Sequence, residues 1–258
     1  MPSTYAHYRF GADAIPTLPR SIQLSIGRFR RLYDVGLHGP DPFFHYNVLW
    51  NTEVGGLGNS MHELTGEAFF TQVCKRYRMH PSEGGRCFLY GFLAHYALDS
   101  MCHPFINRTV DQGEVGHIEM ESEFERFLLD LDGKKPPNRQ DVSGHLKLTR
   151  SESDTAAELL HPVTAGQFRQ AVRHMHLNFH LLGTVNPRLV HWFLLHFEKE
   201  IADQMIPEEP NRKCAYLDGR LYDLYQQALT LYPSLVRQMD DHIEKRTPFG
   251  EDFQKTFG

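Results

Sequence analysis

Five residues in the first half of the chain have the types and the spacing to bind a metal ion. His95, Asp99 and His103 lie in YGFLAHYALDSMCHPFI (residues 90–106), and His117 and Glu121 follow in HIEMESEFERFL. Within each group the step is four residues, so on an α-helix the side chains line one face. Imidazole and carboxylate together are a common ligand set for zinc, and a helical i, i+4 pair holds them in chelating geometry. The complete string, H-x3-D-x3-H-x13-H-x3-E, is far more specific than one H-x3-D. Its apolar setting adds a physical reason. A carboxylate buried without a partner among Leu, Phe and Tyr is costly, and a cation or an arginine relieves that cost.

The elements that must carry these residues are helical. Segment 86–104 is expected as one helix ending near Pro104, and 117–133 as the next, closed by Gly133, with 106–116 as the loop between them. Upstream, residues 1–18, broken by Gly11 and Pro16 and followed by Pro19, are expected to be extended or loop-like, with His7 a surface or packing histidine on its own merits. Ser21 caps an amphipathic helix stopping near Gly36, whose Arg28, Arg30 and Arg31 read as a solvated face. Segment 36–60 lacks periodicity. Its GGLGNS (residues 55–60) is expected to be flexible and is no P-loop, since Lys-Ser/Thr is missing. Ser60 and Glu63 form a capping-box pattern, which places His62 in the first turn of a helix running to about Met79. Segment 134–154 reads as a polar surface excursion, and three helices are expected over 165–182, 187–205 and 216–245. No stretch alternates strongly enough for a sheet. The expectation is one all-α multi-helical domain over residues 1–258.

A hydrophobic content of 41% with 23% charged residues describes a globular chain, and the formal net charge of −5 gives no general attraction to nucleic acid or anionic membrane. No stable nucleic-acid partner is expected. Cys74, Cys87, Cys102 and Cys214 form no C-x-x-C and read as buried free thiols; Cys102 points about 100° away from His103 on a helix and is left out of the ligand set. No signal peptide is visible, and no apolar run approaches the roughly 20 residues that span a bilayer, so a cytoplasmic location is expected. Among sixteen histidines, His174, His176, His180, His191 and His196 form a later group, read mainly as packing and surface residues.

The ordered series His7, Asp41, His62, His95, Asp99, His103, His117 and Glu121 resembles the zinc-dependent phospholipase C/P1-type nuclease group, all-helical enzymes with a trinuclear zinc centre. The likeness spans residues 1–130; beyond that the chain matches only in being helical. The resemblance implies that Asp41, His62, His95 and Asp99 hold a first zinc and His103, His117 and Glu121 a second. His7 would hold a third, with Asp99 bridging it to the first. The interval between Asp41 and His62 is longer than the family's, and His38 or His45 compete for those places. Exported members complete the third site with the amine and carbonyl of an N-terminal Trp. Here Pro2, freed by removal of Met1 and separated from His7 by four residues, is expected to supply that ligand.

The implied activity is phospholipase C-like hydrolysis of a phosphate ester by a zinc-activated water, with Asp41 as a candidate general base. Two or three Zn2+ ions are expected, and Mn, Fe or Co also suit mixed N/O sites. The substrate would be a phospholipid, a nucleotide or a small phosphodiester. Phe43, Phe44, Tyr46 and Trp50 could form an apolar lip or a base-stacking surface. Two other readings are a single-strand-type nuclease with the same centre and a non-catalytic helical protein stabilised by metal.

Overall fold

The computed structural model describes residues 4–47, 52–113, 115–184 and 205–258. Pro2, Trp50, His191, His196 and nearly all of the helix expected over 187–205 lie outside them. The described residues form ten α-helices and no strand: α1 (Thr4–Ala14), α2 (Arg20–Arg28), α3 (Arg30–Gly36), α4 (Glu53–His62), α5 (Gly66–Met79), α6 (Glu83–Asp111), α7 (His117–Leu131), α8 (Arg150–Leu159), α9 (Ala165–Thr184) and α10 (Asp218–Lys245). The all-α expectation holds. No helix among the described residues is long and apolar enough to cross a membrane.

Helix α6 is the axis of the molecule. Its 29 residues span about 44 Å. Residues 87–100 are buried without a break, so this helix is covered on every side. Ser82 caps it by accepting from the Gly85 N–H. Pro104 does not end it, contrary to expectation. Proline forfeits one hydrogen bond but its fixed φ fits a helix, and its ring sits on an exposed position while buried Ile106 anchors the turns beyond it.

Helices α3 and α6 cross backbone to backbone. A Cβ added to Gly91 would lie 2.2 Å from the Tyr33 carbonyl oxygen and 3.0 Å from the Gly36 Cα, and one added to Gly36 would lie 2.4 Å from the Phe88 carbonyl oxygen. Only glycine allows that approach. On the other side α10 packs along α6, where Tyr232 Oη donates to the Tyr90 carbonyl at 2.8 Å.

The N-terminal segment is helical, not extended. Ala6, Phe10 and Ala14 form a buried stripe at steps of four, and Gly11 is tolerated because a Cβ there would strike Leu37 at 2.3 Å. The first turn of α1 donates the Tyr5 and Ala6 N–H groups to the Glu125 carboxylate of α7, which satisfies donors that a helix start leaves open. Burial pushes the Glu125 carboxyl up to about 8.

A second correction concerns segment 53–66. The glycine-rich stretch is inside α4, capped by Thr52, and Ser60 caps nothing: its hydroxyl donates back to the Gly56 carbonyl. The next helix starts at Gly66 behind a Thr65 cap, so His62 is in the last turn of α4 and not the first turn of a longer helix. Segment 134–154 is also less superficial than expected, with Val142, Ser143 and Leu146 buried and α8 opening at Arg150 behind a Thr149–Glu152 capping box.

The close crossing predicts that Gly91→Ala destabilises the fold by about 1–3 kcal/mol in urea unfolding, through overpacking. A second prediction concerns Asp218. Burial, with Glu123 beside it, pushes its carboxyl up to about 7, and Arg126 only partly offsets this. A raised carboxyl stabilises the fold fully below its unfolded pKa near 3.8, and that contribution is lost as pH rises through about 7. Asp218→Asn should therefore flatten the fall in urea midpoint between pH 5 and pH 8; equal slopes for both proteins would contradict this.

Candidate metal centre

Four separate parts of the chain bring ligand-type side chains to the α6 stripe. Helix α1 brings His7, the turn after α3 brings Asp41, the end of α4 brings His62, and α7 brings His117 and Glu121. The turn at Asp41 depends on Gly39, whose φ of +47° is left-handed. A Cβ on Gly39 would also lie 2.4 Å from the His95 ring.

Donor atoms gather into three sets in which every pair lies within 4.8 Å: His7, His95 and Asp99; Asp41, His62 and His95; His103, His117 and Glu121. Asp99 sits at the junction. Its Oδ1 is 3.2 Å from His7 Nε2, and its Oδ2 is 3.0 Å from His95 Nε2 and 3.8 Å from His103 Nδ1. His62 Nε2 is 3.4 Å from Asp41 Oδ1. Glu121 Oε1 is 3.1 Å from His117 Nε2 and 3.3 Å from His103 Nε2. All eight residues expected from sequence at residues 7–121 are brought together, although α1 and α4 present two of them from helices that were not foreseen.

The centre is dry. His95 is fully buried, Asp41 is 1% exposed and Asp99 5%; only His117, with its side chain 26% exposed, reaches the surface. Burial alone would raise the Asp99 carboxyl, but His95, His103 and His7 hold it well below the usual range. Burial is likewise overridden at Glu121, held at about 2 by hydrogen bonds from His103 and His117. The same carboxylates lift His103 to about 9 against its burial. His95 goes the other way, pushed down chiefly by burial.

The donor set fits a cation better than it fits itself. His7 Nδ1, His62 Nε2, both nitrogens of His95, Asp99 Oδ2 and Glu121 Oε2 are buried and make no hydrogen bond with the described residues. Buried polar atoms are ordinarily hydrogen-bonded, and leaving one unsatisfied costs about 1–3 kcal/mol. His62 is also oriented as a ligand should be. Its Nδ1 donates to the Gly58 carbonyl at 2.8 Å, which leaves the Nε2 lone pair facing Asp41. These buried His/Asp/Glu groups could hold metal ions.

The competitors named from sequence face elsewhere. His45 Nδ1 meets Asn178 Nδ2 at 3.0 Å and its ring packs on Phe179. His38 Nε2 lies 2.6 Å from His145 Nε2, and burial pushes His38 well below its usual range and His145 down to about 3. On α9, His174 accepts from the Asn47 N–H, while His176 Nδ1 meets the Ser143 carbonyl and His180 Nδ1 the Asp141 carboxylate, outside all three donor sets. All four cysteines are buried and unbridged. Phe43 is fully buried against Phe168 and cannot stack a base; Phe44 lies against His62 instead.

Sequence reasoning missed Gly39, which no spacing marks, and Phe257, whose carbonyl meets His103. Phe249, Phe253 and Phe257 do recur at steps of four, the one signal that this tail is built into the core.

Comparison with protein-family models finds no match to this chain, and neither does a search of curated proteins or of solved structures.

Gly39→Ala should displace His95 and lower the zinc content per chain, measured by elemental analysis of metal-reconstituted protein. Gly56→Ala, where a Cβ meets nothing within 4 Å, should leave it unchanged. Equal metal content in the two variants would contradict the assignment of His95 to the centre.

Proposed function

We propose that this protein is a metal-dependent phosphoester hydrolase of the zinc phospholipase C/P1 nuclease type, with Zn2+ the favoured ion. The observation that supports this reading is the sharing of residues between donor sets. Asp99 lies against His7 and His95 at once and His95 falls in two sets, so the ions these sets would hold must be close neighbours. A neutral imidazole offers one lone pair, whereas a carboxylate offers two oxygens. His95 would therefore serve with Asp41 and His62, and Asp99 would be shared with the site of His7. His103, His117 and Glu121 form the remaining site.

Divalent ions held by these residues would lower the pKa of a bound water towards neutrality and stabilise charge on a phosphoryl group. The chain's own contributions follow from its geometry. A cavity of about 20 Å³, room for one water, touches His7, Asp99, His103 and Glu121 and is otherwise walled by apolar residues such as Leu98 and Ile106. Those apolar walls lower the local dielectric and strengthen the field of the carboxylates. Asp41 is the proposed proton acceptor, and at 1% exposure it is shielded from bulk solvent. His117 is the ligand on the accessible side, so a phosphate ester would approach across the start of α7.

The test is turnover of bis(p-nitrophenyl) phosphate, a phosphorylcholine ester and single-stranded DNA by zinc-loaded protein. Expected are hydrolysis of at least one ester, its loss to a chelator with recovery on added zinc, and a fall of about 100-fold or more in Asp99→Asn. Full zinc loading with no turnover of any substrate would leave a structural metal centre and end the hydrolase reading.

A further inference from the structure

After α10 the chain reverses at Arg246, whose φ of +59° is left-handed, and its last segment returns to the core. Phe249 is buried, and Phe253 and Phe257 are fully so. Two polar anchors fix the path between them. Tyr96 Oη donates to the Asp252 carbonyl at 2.7 Å and lies 3.1 Å from the Lys255 carbonyl, and the Gly66 N–H donates to Lys255 at 2.9 Å. The Phe257 ring then packs among Phe92, Tyr96, His95 and His62. Its backbone carbonyl ends 2.5 Å from His103 Nδ1.

A carbonyl oxygen only accepts, so His103 Nδ1 must carry the proton. Nε2, which faces Glu121 Oε1 at 3.3 Å, is then the nitrogen that gives up its proton and offers a lone pair when an ion is bound. Asp99 Oδ2, at 3.8 Å from Nδ1, is too far to take that hydrogen bond instead.

We propose that the Phe257 carbonyl is a positioning group for the metal centre: it fixes the tautomer and ring orientation of His103 that present Nε2 to the site shared with His117 and Glu121. Docking of residues 249–258 and uptake of an ion at that site then favour each other, because a ligand that binds one arrangement better stabilises it, and the coupling is reciprocal. The inference rests on the metal reading above and adds a role that none of the eight ligand residues supplies.

The experiment uses the full chain. Hydrogen exchange of residues 250–258 is followed in chelator-treated and zinc-loaded wild-type protein, and zinc affinity is measured by chelator competition in wild type, Phe257→Leu and Phe257→Ala. Zinc should slow exchange in the tail. Phe257→Ala, which removes the anchor that holds the carbonyl in place, should weaken the weakest-bound zinc by about 10–100-fold, the usual effect of losing a partner that orients a metal-binding His. Phe257→Leu, which keeps an apolar anchor, should restore most of that affinity. Nitrogen-15 spectra of zinc-loaded wild type should show His103 protonated at Nδ1. Zinc uptake without any change in tail exchange, or His103 protonated at Nε2, would overturn the proposal and leave the metal reading standing. A wild-type protein that takes up no zinc would overturn both.

Discussion

A carboxylate enclosed by imidazoles in the interior is the constraint on which the rest of this molecule depends. Asp99 cannot be stable as an isolated charge among Leu98, Ile106 and Phe124, so the fold must deliver compensating groups to it from several directions. Two come from its own helix at steps of four. The third, His7, arrives on a helix whose start is itself held by Glu125, a carboxyl four residues past Glu121. The centre and the N-terminal helix are thus secured by successive turns of α7. Several of these buried atoms, among them His7 Nδ1, His62 Nε2 and Glu121 Oε2, still make no hydrogen bond with the described residues, and that unmet demand is the physical argument for a cation.

Close helix packing is what lets four chain segments converge there. The Gly36–Gly91 crossing brings α3 down onto α6, so that the turn carrying Gly39 and Asp41 reaches the face of His95. Gly66 plays a related part: a Cβ there would lie 2.5 Å from the Tyr96 ring, and its N–H binds the returning C-terminal segment. Glycine at these places serves backbone approach and not flexibility.

The ligand stripe was legible because metal chelation on a helix imposes a period, and H-x3-D-x3-H with H-x3-E displays that period directly. The all-α architecture was legible for a related reason, since no strand pattern competes with the helical one. Helix α1 was misread because Gly11 and the prolines at 16 and 19 are local signals, whereas the Ala6, Phe10 and Ala14 stripe is satisfied only by contacts far away in sequence. The start of α5 was misread because Ser60–Glu63 satisfies a capping pattern that Thr65 actually fulfils. Pro104 marked a helix end that the burial of Ile106 overrides. The role of the tail could not be read at all, because it is carried by a backbone carbonyl, and a backbone carbonyl has no sequence signature.

The central claim is that these buried side chains form one polynuclear metal centre. Anomalous diffraction from crystals of zinc-reconstituted protein, recorded at the zinc edge, tests it most directly. The account predicts at least two peaks, one bounded by Asp41, His62 and His95 and one by His103, His117 and Glu121, with Asp99 beside the first. Fully occupied crystals with no peak among these residues, or with zinc only on surface histidines such as His176 and His180, would contradict it.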